Sequence, residues 1–225
     1  MRFQDAARDG RAVVYAGIQA DPLVHRAATL LAEATTAQRV LARAVMNGET
    51  SDPAGWMAMF PTLLGPSVPA GPERTRSEAI LGASLAVAER GEQVRSQFRG
   101  AIVEELTAIL LARRAGEPAV RRERRILFDG VRTEIHPYDV TVERDGAAEA
   151  YDCKWGARGI NDDVLHQLVD ARAHAADEDE RLGVALVVFD ADRSCAVRLA
   201  RQYAPHDGTA IIPLESLDRL AAGAR

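Results

Sequence analysis

The stretch EAYDCKW, residues 149–155, contains Lys154, the only lysine among the 28 basic residues of the chain. On a β-strand, side chains two positions apart share one face. Asp152 and Lys154 therefore lie together on a polar face. The opposite face is apolar and carries Tyr151, Cys153 and Trp155. The period-two alternation predicts a strand with one face in the core and a carboxylate and an ammonium group on the other.

The preceding stretch, residues 135–146, alternates in the same way and is joined to 147–155 by Asp145-Gly146, a dipeptide typical of tight hairpin turns. Counting back from this turn places Asp139 about level with Asp152. Two carboxylates on adjacent strands can hold a hard divalent cation, and Mg²⁺ or Mn²⁺ fits such oxygen ligands best. A compact ammonium group beside them can orient a water molecule or stabilise negative charge, a role to which the always protonated, bulkier arginine is less suited.

The chain as a whole is predicted to have two parts, a helical N-terminal region over 1–92 and an α/β domain over 93–225. In the first part, 21–48 is predicted to be helical throughout, and the proline-rich 65–73 to be a linker or loop. In the second, the order is α-β-β-β-α-β-β-α, with 182–190 as a buried central strand. The predicted elements of this domain are helix 94–116, strands 124–130, 135–146 and 147–155, helix 161–179, strands 182–190 and 208–214, and helix 215–225.

The pair PYD (137–139) and DCK (152–154) resembles the signature of the PD-(D/E)xK nuclease superfamily. Pro137 and Asp139 match its first element, with Tyr138 inserted between them, and Asp152, Cys153 and Lys154 match the second. The resemblance implies a restriction-endonuclease-like αβββαβ core with a mixed sheet. It also implies a metal-dependent deoxyribonuclease, with Mg²⁺ or Mn²⁺ as cofactor, acting in restriction, defence or repair.

The resemblance also implies roles for individual residues. Asp139 and Asp152 would bind the metal, Cys153 would offer its backbone carbonyl, and Lys154 would position the nucleophile. Family members often have a glutamate on the first helix of the core and a glutamine on the next. Glu104, or less well Glu105, matches the former as a metal ligand, and Gln167 matches the latter as a catalytic residue.

A basic block over 112–125 joins the helix of Glu104 to the first predicted strand. Arginine suits phosphate contacts because its planar fork donates two hydrogen bonds at once. The block is either a nucleic-acid contact, with DNA more expected than RNA, or a solvated charged face. The candidate contacts are Arg113, Arg114, Arg121, Arg122, Arg124 and Arg125.

Two alternatives stay open. Asp139, Asp152 and Lys154 could instead form a surface salt-bridge ladder across the hairpin. The chain could also be a catalytically inactive nuclease-fold subunit that binds nucleic acid or protein, because the N-terminal helices lie outside the nuclease core. These helices could dock a protein partner or form a homodimer.

Composition limits the remaining classes of function. The net charge of −5 restricts any polyanion site to a local patch. Gly-Lys does not occur, which excludes a P-loop, and no G-x-S-x-G motif is present for a serine hydrolase. Cys153 and Cys195 are expected to be buried thiols. No apolar run is long enough to span a membrane, and the first 15 residues lack the apolar core of a signal peptide, so a cytoplasmic protein without membrane contact is expected.

Overall fold

The computed structural model describes residues 1–6, 10–48, 50, 52–132, 136–144, 146–204 and 206–222. The chain divides into two compact units. One unit is Gly10–Leu106, and the other consists of Met1–Asp9 together with Thr107–Arg225. The division predicted at residue 92 falls inside the first unit. Asp145 of the predicted hairpin turn lies outside the described residues.

In the part of the unit Gly10–Leu106 that the structure describes, all regular secondary structure is helical. The predicted continuous helix over 21–48 is wrong, since the chain forms two helices there. The Thr35 hydroxyl accepts the N–H of Gln38, and the Gln38 side chain accepts the N–H of Thr35. This reciprocal cap starts α3, and the preceding helix has already ended at Ala32, with Glu33 as its C-cap. The helices are α1 (Gly10–Gln19), α2 (Pro22–Ala32), α3 (Thr36–Asn47), α4 (Pro53–Met59), α5 (Pro61–Leu64), α6 (Pro72–Ala88) and the first part of α7 (Glu92–Ala115).

The proline-rich stretch between α5 and α6 is an ordered loop within this unit. The Arg74 guanidinium donates to the carbonyl oxygens of Gly65 and Val68 at 3.2 and 2.8 Å. These bonds satisfy main-chain groups that a helix would otherwise pair. Of the two predicted options, a linker or a loop, the structure therefore has the loop.

The other unit is built on a seven-stranded mixed sheet with the strand order β1-β2-β4-β5-β6-β7, in which β3 pairs with β2 only. The pairs from β1 to β5 are antiparallel, and β6 joins β5 and β7 in parallel. The strands are β1 (Arg2–Asp5), β2 (Val120–Phe128), β3 (Val131–Arg132), β4 (Tyr138–Arg144), β5 (Ala147–Lys154), β6 (Leu182–Val188) and β7 (Ala210–Pro213). The helices are the end of α7, α8 (Asp162–Asp177), α9 (Asp192–Leu199) and α10 (Asp218–Ala222), with three short 3₁₀ turns at 117–119, 157–159 and 214–216.

The α/β class predicted from the sequence is confirmed, with two corrections. Residues 2–5 were expected to belong to a helical region, but they form β1, whose pairing with β2 was not evident from local periodicity. The helix α9 between β6 and β7 was not predicted. The predicted central strand β6 does lie between two neighbours, and its side chains from Val184 to Val188 are buried.

The two faces of β5 meet different helices. Ala148 and Ala150 pack with Leu165 and Leu168 of α8 in one buried cluster. On the opposite face the Cys153 thiol lies 3.4 Å from the Thr107 hydroxyl at the end of α7. Cys153 lies on the face opposite Asp152, as predicted. The prediction that only one face of β5 lies in the core is wrong, because Ala148 and Ala150, on the face of Asp152, are buried as well. Cys153 and Cys195 are buried free thiols. Among the described residues, no helix combines the length and the apolar character that crossing a membrane would need.

Candidate functional site

The sheet register places the two predicted carboxylates opposite each other. Val140 of β4 pairs with Tyr151 of β5, so the next position along each strand sets Asp139 across from Asp152. Residues directly opposite in an antiparallel pair share one face of the sheet. At this point the Asp139 carboxylate accepts the backbone N–H of Cys153 at 2.6 Å. This agrees with the level predicted by counting back from the turn.

Both carboxylates line a cavity of about 270 Å³, here called the acidic pocket. Lys154 and Gln167 line it as well, so four of the predicted site residues come together. The sequence did not identify three other polar members. They are His136, just before β4, and Asn161 and Asp163, at the start of α8. Asn161 caps the N-terminus of α8, and no local pattern distinguishes Asp163 from the acid that precedes it.

Ionising both aspartates at once is electrostatically unfavourable when no cation is bound to them. Asp152 is 3% exposed. Burial, and then the charge of Asp139, raise the pKa of Asp152 to about 7, against an opposing effect of Lys154. Burial also raises the pKa of Asp139, although Lys154 and the Cys153 N–H favour its ionised form. A buried carboxylate pair of this kind either shares a proton or needs a positive partner.

This pair fits a small divalent cation. Within the described ranges no group of three His, Cys, Asp or Glu side chains could hold a metal. Mg²⁺ commonly takes only one or two protein carboxylates and fills its other positions with water and substrate phosphate oxygens. Asp139 and Asp152 can supply those two carboxylates. The Cys153 side chain points to the opposite face, so only its main chain could contribute, as the sequence predicted.

Glu104 lies in the unit Gly10–Leu106, where the Tyr15 hydroxyl and the Gln19 amide donate to its carboxylate at 2.5 and 2.8 Å. The adjacent Glu105 lies 2.8 Å from the His25 ring nitrogen. Neither glutamate is among the residues that line the acidic pocket. The metal-binding role of Glu104 stays a prediction.

Gln167 of α8 is tied to the main chain that leads into β4. Its amide nitrogen donates to the His136 carbonyl oxygen, and its amide oxygen accepts the His136 N–H, both at 3.1 Å. Because both ends of the amide are used, Gln167 holds His136 and the following strand against α8. The geometry makes it a positioning residue for Asp139, three residues further along the chain.

Lys154 is packed against Gly159. A Cβ atom added at Gly159 would lie 2.7 Å from Lys154 Cβ and Cγ and 2.9 Å from its Cδ. Real Cβ atoms do not approach so closely, so any larger residue at 159 must displace the lysine stem. This contact was not predicted from the sequence, and Gly159 does not adopt the left-handed backbone conformation that usually explains a glycine.

We expect Gly159→Ala to misplace the Lys154 ammonium and to lower any activity of the acidic pocket by about 100-fold, with a smaller effect on stability. The matched control is Gly183→Ala in β6, where the nearest atom to the added Cβ, Glu149 Cγ, is at the ordinary distance of 3.5 Å. Turnover and thermal unfolding of both variants check the prediction. Equal turnover in the two variants would contradict it.

The predicted basic block is partly neutralised by internal ion pairs. Arg114 donates to both oxygens of Glu149, at 2.8 and 2.5 Å. Arg124 donates to both oxygens of Glu143, at 2.7 and 3.2 Å, and also pairs with Asp5. The structure therefore gives these two arginines a role in holding the sheet unit together. Of the other four, Arg113 and Arg121 are exposed, and Arg122 and Arg125 are half-buried.

Comparison with known proteins adds no relative. No protein-family model matches the chain, and no curated protein or solved structure matches it.

Proposed function

We propose that the chain is a metal-dependent nuclease of the PD-(D/E)xK type that hydrolyses phosphodiester bonds in DNA. The observation that carries the proposal is the pair of half-buried Asp139 and buried Asp152, opposed across β4 and β5, with Lys154 lining the same pocket. A surface salt-bridge ladder would need no buried acid with a pKa near 7. The succession α7, β2, β4, β5, α8, β6 supports an αβββαβ core, to which β3 is a short addition.

The chemistry follows from the charges in the pocket. A bound Mg²⁺ or Mn²⁺ ion would polarise a phosphoryl oxygen and lower the pKa of a coordinated water molecule. Asp139 and Asp152 would hold the ion, and burial would keep their geometry rigid. The Lys154 ammonium would orient the attacking water and stabilise the negative charge that develops on the phosphoryl group. The water oxygen forms the new bond to phosphorus, one ester P–O bond breaks, and the leaving oxygen takes up a proton.

Gln167 and Gly159 would act through other groups. Gln167 would keep Asp139 level with Asp152 by holding His136, and Gly159 would leave room for the lysine stem. A DNA substrate and a setting in restriction, defence or repair are proposed from the motif's resemblance alone, and a cytoplasmic location is proposed from the charged first 15 residues of the sequence.

We expect the wild-type chain to cleave plasmid, linear or single-stranded DNA with Mg²⁺ or Mn²⁺ and to be inactive with EDTA. Asp139→Asn should lower the rate by at least about 100-fold, because one of the two metal-binding carboxylates is lost. Asp170→Asn, an exposed acid on α8, is the matched control and should retain full activity. Gel assays of initial rates measure the effect.

Calorimetry separates this proposal from the non-catalytic alternative. Metal binding that is lost in both Asp139→Asn and Asp152→Asn supports the nuclease. If neither metal binds through these residues and no substrate is cleaved, the chain is better described as a nuclease-fold binding subunit.

A further inference from the structure

A second cavity, of about 340 Å³, lies beside α9 and is lined by four arginines. Arg193 and Arg198 belong to α9, and Arg201 follows two residues after the end of this helix at Leu199. The fourth, Arg158, lies in the 3₁₀ turn after β5. The cavity is here called the arginine pocket, and its polar and apolar lining includes Arg158, Arg193, Ser194, Val197, Arg198 and Arg201.

The arginine pocket differs from the basic block in that its charges are not neutralised. No ion pair to these four arginines occurs in the described part of the chain, and no acidic residue lines the cavity. Arg198 alone is anchored, since its Nε donates to the Ile160 carbonyl oxygen at 2.9 Å. Arg158, Arg193 and Arg201 are exposed. Four guanidinium groups around one concavity form a strong local positive field on an acidic chain, which favours a ligand with several phosphates.

The arginine pocket and the acidic pocket are built on the same short segment. Lys154 lines the acidic pocket, Arg158 lines the arginine pocket, and Asn161 and Asp163 line the acidic pocket again. The bond from Arg198 to Ile160 fixes α9 to this segment. The segment 154–163 therefore contributes side chains to both pockets.

An exposed aromatic ring lies near the same segment. Tyr203 is 97% exposed, two residues after Arg201. The main chain that carries this ring is held in place, because the N–H groups of Tyr203 and Ala204 both donate to Asp162 Oδ1 at 3.0 Å. Asp162 lies between Asn161 and Asp163 of the acidic pocket. Proteins that bind single strands combine a positively charged groove with exposed aromatic rings on which bases stack.

We propose that the arginine pocket binds the backbone phosphates of an unpaired nucleic-acid strand and that Tyr203 stacks on one of its bases. The inference rests on the proposed function only in that it places this strand beside the phosphate to be cleaved. The binding itself requires neither metal nor hydrolysis, so the two can be tested separately.

The test is fluorescence anisotropy of the full chain with a fluorescein-labelled single-stranded oligonucleotide in EDTA, over a series of salt concentrations. The double variant Arg193→Ala/Arg201→Ala should bind at least about tenfold more weakly. Because each lost phosphate contact lowers the salt slope of a single strand by about 0.7, the slope should fall by about 1.4. The control is Arg181→Ala, an exposed arginine before the opposite end of β6, which should bind as wild type does.

Stacking has a different signature. Tyr203→Ala should weaken binding of the single strand by about tenfold without changing the salt slope, because no charge is removed. Tyr203→Phe, which keeps the ring, should retain the affinity. Blunt duplex DNA should be insensitive to both changes, because its bases are already stacked.

Unchanged affinity and salt slope in the arginine double variant would overturn the inference, even if the wild-type chain cleaves DNA. Loss of binding in that variant, with no cleavage by the wild type, would leave the inference standing and remove the proposed function.

Titration with inorganic pyrophosphate is a further experiment on the arginine pocket. If pyrophosphate binds only when Arg193 and Arg201 are present and no oligonucleotide binds, the pocket binds a small phosphate compound. That result would overturn the proposal that it binds a nucleic-acid strand.

Discussion

Replacing Lys154 by arginine is expected to abolish cleavage, by at least about 100-fold in rate, although the charge is kept. The lysine stem is packed against Gly159, so closely that a Cβ atom added at position 159 would overlap it. The longer arginine side chain, with its planar fork, cannot place a compact positive charge at the same point.

The measurement is the initial cleavage rate at saturating Mn²⁺, with circular dichroism to verify that the variant is folded. Arg181→Lys exchanges the same two side chains at an exposed position and should leave the rate unchanged. If the three residues were only a salt-bridge ladder, Lys154→Arg would behave like this control. If Lys154→Arg cleaves at the wild-type rate, Lys154 does not have the proposed role in positioning the attacking water.

The second large effect is on stability. Asp152→Asn is expected to stabilise the metal-free protein at pH 8 by up to about 4 kcal/mol, which corresponds to the pKa rise from 3.8 to about 7. The wild-type chain at this pH must bury an ionised carboxylate opposite that of Asp139. An amide of similar shape removes both the desolvation cost and the repulsion.

The sign of the pH dependence follows from the raised pKa. Below about pH 4 the Asp152 carboxyl is protonated in both the folded and the unfolded chain. As pH rises from about 4 to about 7, the unfolded chain loses this proton before the folded chain does, so its contribution to stability falls and then levels off. Asp152→Asn should lack this decline, whereas the exposed Asp170→Asn should show it as wild type does.

Urea unfolding in EDTA at pH 5 and pH 8 measures the difference, and added Mn²⁺ provides a second readout. Cation binding to the ionised pair should raise the wild-type stability at pH 8 and leave Asp152→Asn almost unchanged. Equal pH dependence in the two proteins would show that Asp152 is not the strained group. Equal stabilisation by Mn²⁺ would place the metal elsewhere.

Much of the site could be predicted because its signals are local. Period-two alternation placed Asp152 and Lys154 on one face of the strand. Counting back from the Asp145-Gly146 turn placed Asp139 opposite Asp152 on the neighbouring strand. The elements that were missed lack such signals. β1 is a strand only because β2 is beside it, and the cap at Thr35 interrupts an apolar pattern that is otherwise continuous.

The sequence by itself determined the α/β class, the two faces of β5 and the opposed pair of aspartates, because these depend on strand periodicity and the length of one turn. Only the tertiary structure decided the rest. The contact of Gly159 with Lys154, the raised pKa of Asp152 and the gathering of Arg158 with the arginines in and after α9 depend on distances and burial. Those quantities arise when segments that carry no mutual signal along the chain are packed together.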